Sequence, residues 1–84
     1  MVVVELMVRA TCGSCARVAA QIRPVVAELG ADLVIRDVDE QGLAAEFGDR
    51  VPVVVVDGEE IAAWEIDDED LREAIADATA AQSN

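Results

Sequence analysis

The stretch Arg9-Ala10-Thr11-Cys12-Gly13-Ser14-Cys15 lies between an apolar, β-branched run, Val2 to Val8, and a helical pattern that begins at Cys15. Both cysteines of the chain fall inside it. Two thiols three residues apart at a helix start can close a small, reducible disulfide. The free amides of a first helical turn favour the thiolate of the leading cysteine. By itself a Cys-x-x-Cys string is a weak signal, because zinc half-sites share it. Its place after a strand and at the head of a helix is what points to redox chemistry.

Working outward, Val18, Ala19, Ile22, Val25, Val26 and Leu29 recur at steps of three and four, one face of an amphipathic helix that Gly30 stops. Pro24 inside this helix removes one backbone bond and is expected to bend it. Val2 to Val8 reads as a buried strand despite Glu5, and Leu33, Val34, Ile35 and Val38 as a second. A short helix through Leu43, Ala44, Ala45 and Phe47 closes at Gly48, and Val53 to Val56 is a third strand, fully apolar. Asp57-Gly58 is a two-residue hairpin signal, returning into Ile61-Ala62-Ala63-Trp64. Asp67 caps a last helix with Asp68, Glu69 and Asp70 in its first turn and Leu71, Ala74, Ile75 and Ala78 on its core face. These four acids read as a cap, since adjacent carboxylates do not converge on an ion without a folded-back loop. Residues 79–84 are expected to fray. The order is βαβαββα in one domain, residues 1–84. A helical crossover makes the first two strands parallel and the hairpin makes the last two antiparallel, giving a mixed sheet with helices on both faces.

At 84 residues the chain supports a single core, which its 54% hydrophobic content can fill without disulfide staples. The loop closed by two cysteines this near is too small to add much stability, so their role is not structural. Eighteen acids against six arginines give a net charge of −12, which argues against nucleic acid or an anionic membrane as partner. An acidic coat kept for solubility is the simpler reading, ahead of steering toward a basic surface. The absence of lysine fits a salt-accumulating cell or a high-GC coding bias alike. Val2 to Val4 has no basic leader or cleavage site and is too short to span a bilayer, so a reducing cytoplasm is the expected location.

With Cys12-Gly13-Ser14-Cys15 after strand one and Val51-Pro52 before strand three, the chain resembles the small glutaredoxin-like proteins of the thioredoxin superfamily. The match covers nearly the whole chain and is most specific at residues 9–15 and at Phe47-Gly48-Asp49-Arg50-Val51-Pro52-Val53. The resemblance implies an α/β thioredoxin-like fold, with Cys12 as nucleophile and Cys15 as the resolving thiol. It also implies a cis Pro52 beside them and a Val51 backbone that aligns an extended substrate. Gly13 and Ser14 are small enough to leave the sulfur open. Arg9 falls where many relatives keep a basic residue ahead of the nucleophile; the other reading is a charge at a strand end. Trp64 is expected to pack on the rim of the core, with a substrate contact as the lesser reading. Glutathione-using glutaredoxins carry a Gly-Gly pair where Ala62-Ala63 stands here, followed by the bulk of Trp64, which argues against glutathione. The expected function is a dithiol–disulfide oxidoreductase, monomeric and without a bound cofactor, that reduces protein disulfides and is restored by a protein reductase. Two rivals stand beside it. Cys12 and Cys15 from two chains together supply the four ligands of a zinc or iron–sulfur site, or the fold serves as a binding module without turnover.

Overall fold

The computed structural model describes residues 1–82. Its elements are β1 (Val3–Val8), α1 (Cys15–Glu28), β2 (Asp32–Asp37), α2 (Ala44–Phe47), β3 (Val53–Val56), β4 (Glu59–Ala63) and α3 (Asp68–Gln82). The four strands form one sheet in the order β2-β1-β3-β4, with β1 and β2 parallel and the other two pairs antiparallel. This is the mixed βαβαββα arrangement expected from the sequence.

Strand alternation decides which side chains meet which helix. Val4 and Leu6 of β1 join Val54 and Val56 of β3 on the face covered by α1 and α3, where Val18, Ile22, Val26, Leu71 and Ile75 pack against them. Met7, Val53 and Val55 point the other way, under Val38, Phe47 and the partly buried Leu43. Every residue of β3 is buried because both of its faces are covered. Glu5, the one charge in the first strand, is only half-buried and pairs with Arg36 of β2.

The helix ends follow their local chemistry. Gly30 at φ 71° closes α1: its amide donates to the Ala27 carbonyl, and the Ala31 amide donates to that of Val26. Pro24 does not end α1. Pro24 and Ala20, whose carbonyl loses its helical partner, are both exposed, so water can take the missing place. The Asp57-Gly58 turn has φ 47° and 86°, as a tight hairpin with two left-handed central residues requires. On β4, Ile61 is the extra residue of a bulge, since Val54 faces Ala62 while Val55 faces Glu60.

Two expectations are corrected. Residues 79–82 continue α3 rather than fraying. The Gln82 amide nitrogen donates to the Asp57 carboxylate at 2.6 Å and to the Met1 carbonyl at 3.1 Å, tying the helix end to the start of the sheet. The remainder of the expected tail, residues 83–84, lies outside the described residues. Trp64 is not packed on the rim: it is 61% exposed, because φ 69° turns it out of the path that β4 would otherwise follow. Among the described residues no helix is long and apolar enough to cross a membrane.

Candidate active site

Three loops meet at one end of the sheet. Arg36, Met7, Val53 and Ala63 form a row across the four strands. One step further, the Trp64 amide donates to the Pro52 carbonyl at 2.8 Å. Beyond that row the chain leaves β1 into residues 9–14, enters β3 from Val51, and leaves β4 at Trp64.

Cys12 and Cys15 are joined in a disulfide, with a Cα–Cα distance of 5.6 Å. Cys15 is the first residue of α1 and is buried, continuing the face of Val18 and Ile22, whereas Cys12 is partly exposed just outside the helix. Ser14 occupies the N-cap position but its side chain makes no capping bond; its hydroxyl lies 3.9 Å from the Cys12 sulfur. No acid stands in the first turn of α1. The positive end of that helix therefore faces the sulfurs uncompensated. Gly13 is exposed, with open space where a side chain would project.

The peptide bond between Val51 and Pro52 is cis, as the resemblance implied, and the Pro52 side chain is fully buried. Among the described residues neither the N–H nor the C=O of Val51 has a hydrogen-bond partner. An unpaired main-chain donor and acceptor beside a sheet are what an incoming extended segment needs for pairing.

Arg9 does more than end a strand. Its Nε and Nη2 donate to the two carboxylate oxygens of Asp39 at 3.0 and 2.8 Å, and its Nη1 donates to the Gly48 carbonyl at 3.2 Å. Such a fork-to-fork pair is charge-assisted and directional. The hydrogen bond from Arg9 holds the Asp39 carboxyl below the usual carboxylate range, and the same bond raises the guanidinium. The clamp links the segment leading to Cys12 with the loop after β2 and with the loop leading to Val51. Gly48 is required for it: a Cβ there would lie 2.5 Å from the Ala44 carbonyl oxygen and 3.0 Å from Arg9 Nη1. Arg50 secures the same loop by donating to the Glu46 carbonyl at 2.7 Å, pairing with Glu60 and lying 5.7 Å over the Phe47 ring.

The structure thus gathers Arg9, Cys12, Gly13, Ser14, Cys15, Val51 and Pro52 at one end of the sheet, and adds Asp39, Gly48 and Trp64. Asp39 left no local signal, and Gly48 was legible as a helix stop but not as the acceptor and close neighbour of Arg9. A signal for the electrostatics was present: residues 10–27 contain two arginines and no acid, in a chain with 18 acids.

The sequence profile of the glutaredoxin-like domain family matches residues 3–76. The uncharacterized Mycobacterium tuberculosis protein Rv0508 is 49% identical over 82 residues, covering 90% of this chain and 84% of its own length. Chloroplastic thioredoxin z superimposes with a TM-score of 0.75 at 18% identity, over 95% of this chain and 80% of that one. A thioredoxin variant from Halobacterium salinarum NRC-1 gives a TM-score of 0.56 at 32% identity, over 90% of this chain and 73% of that one. Family, fold and disulfide together support a thiol–disulfide redox role. The chain belongs to the glutaredoxin-like domain family, with its cysteine pair at the head of α1 in a thioredoxin-type fold.

Proposed function

We propose that the protein is a cytoplasmic dithiol–disulfide oxidoreductase that reduces protein disulfides through Cys12 and Cys15. The observation that carries this reading is the asymmetry of the pair: a partly exposed Cys12 and a buried Cys15, joined at an uncapped helix N-terminus. The Cys12 thiolate attacks one sulfur of a substrate disulfide; that S–S bond breaks and the departing substrate thiolate takes up a proton. Cys15 loses its proton and attacks Cys12 in the mixed disulfide, releasing the second substrate thiol and leaving the Cys12–Cys15 disulfide. Two electrons and two protons reach the substrate, and a dithiol protein reductase restores the pair.

The unpaired Val51 backbone supports alignment of an extended substrate segment. The Arg9 clamp supports that alignment by fixing both loops. Gly13 and Ser14 leave room for the attacked sulfur. Ala62 and Ala63, set in β4 where glutathione users have glycines, favour protein dithiols over glutathione as the exchange partner.

Titration against defined dithiol/disulfide buffers, with free thiols counted by alkylation and mass, tests the reading. A reversible two-electron transition near or below about −200 mV is expected. Failure to form an intramolecular disulfide would overturn it and turn attention to metal shared between two chains.

A further inference from the structure

Trp64 is the anomaly of the site's edge. It is 61% exposed, although burial of an aromatic ring is strongly favourable. Its backbone is left-handed at φ 69°, a conformation that bulky L-residues rarely adopt and that neighbours must enforce. The neighbours are visible on both sides. The Trp64 amide donates to the Pro52 carbonyl at 2.8 Å and the Glu65 amide to the Ala63 carbonyl at 2.8 Å. Gln21 of α1 then holds the following loop, donating to the Ile66 carbonyl at 2.7 Å and to Asp68 at 2.9 Å. The ring is thus presented on a fixed turn, directly bonded to the residue that follows the unpaired Val51 backbone.

We infer that Trp64 is a specificity-determining residue, packing against an apolar side chain next to the half-cystine of an extended polypeptide substrate. The inference rests on the dithiol–disulfide reading and names the kind of substrate it takes. Main-chain groups at Val51 accept any sequence, so they give alignment without selection; a rigid aromatic surface one residue further along supplies the selection. Large, rigid aromatic side chains with few rotatable bonds suit this role because little entropy is lost on contact. The net charge of −12 disfavours an acidic side chain there, and the exposed ring supplies the apolar surface that selects among the rest.

The test uses two pairs of short peptides with leucine or serine beside the reactive position. In one pair that position is a cysteine held in a disulfide; in the other it is an unreactive serine. Binding of the unreactive peptides to the oxidised protein is read by fluorescence anisotropy, with Trp64→Ala, Trp64→Gly and Trp64→Phe alongside. Trp64→Gly fits the left-handed backbone and removes only the ring. The leucine peptide is expected to lose about tenfold in affinity in the Ala and Gly variants, to be largely rescued by Phe, and to outbind the serine peptide only where an aromatic ring is present. With the disulfide peptides, KM for the leucine substrate should rise about tenfold while kcat stays within about twofold. Equal affinities for leucine and serine peptides in the unsubstituted protein, or a loss confined to kcat, would overturn the inference. Trp64-dependent binding without turnover would instead uphold the inference as a binding preference and remove the oxidoreductase reading.

Discussion

The two long helices of this protein begin in opposite ways. At α3, the Asp67 carboxylate accepts the Glu69 amide at 2.8 Å, and Asp68, Glu69 and Asp70 fill the first turn. At α1, the Ser14 side chain makes no capping bond and the first turn holds no acid. Both helices have the same orphan amides and the same positive end. At α3 one of these amides is taken by Asp67 and the positive end meets three further acids, for stability. At α1 they are left to the sulfurs, although a chain with 18 acids had every opportunity to place one there. The acidity of the protein is therefore not evenly spread; it is withheld from residues 10–27, where a negative charge would oppose a thiolate.

Substitution of the sulfurs probes this contrast most severely. Cys12→Ser is expected to abolish reduction of a peptide disulfide. Cys15→Ser should instead accumulate a mixed disulfide on Cys12, seen as an added substrate mass. Trapping by Cys12→Ser as well would mean that the buried thiol attacks directly, and the assigned order would fall.

Removing the α3 cap comes next. Asp67→Ala should lower stability by about 1 kcal/mol, within the range of about 0.5–2 kcal/mol for lost caps, read by urea denaturation. The alkylation rate of reduced Cys12 should not change. A stability loss near zero would mean that the three acids behind Asp67 hold the helix end without it.

The converse change brings acid to α1. Ala16 is exposed in the first turn, and Ala16→Glu adds a charge without disturbing the core. A charge at a helix end is worth about 0.3–1 kcal/mol, so iodoacetamide should react about two- to fivefold more slowly with Cys12 at neutral pH. Molar salt should erase most of the difference. An unchanged rate would show that the helix end contributes nothing to the reactivity of the thiol.

How much of this was legible beforehand depends on the range of the interaction. The succession of elements along the chain, the Gly30 stop, the Asp57-Gly58 turn and the Asp67 cap are set by neighbours a few residues apart, and periodicity and turn chemistry revealed them. The Arg9 clamp joins residues 30 and 39 positions apart, so the sequence left its role divided between two readings. Trp64 was misplaced because aromatic size speaks for burial, whereas its exposure follows from a single left-handed residue after β4. Nothing in composition or period marks such a residue unless it is glycine or belongs to a turn pair such as Asp57-Gly58.

The Arg9–Asp39 clamp supplies the smallest effect, and it protects the reading of the helix contrast. Because Arg9 lowers the folded-state pKa of Asp39, the pair contributes stability that is fully present above the unfolded carboxylate value, about 3.9, and lost as pH falls through the lower folded value. The difference in stability between the unsubstituted protein and Asp39→Asn should thus be flat from pH 5 to 8 and shrink only below about pH 4. Over the range in which a cysteine titrates, the clamp then keeps one charge state. A pH profile of Cys12 alkylation between pH 5 and 9 reports the thiol and its helix end alone. If Asp39→Asn moved the midpoint of that profile, the clamp would be acting on the sulfur directly, and the contrast between the helix ends would account for only part of its reactivity.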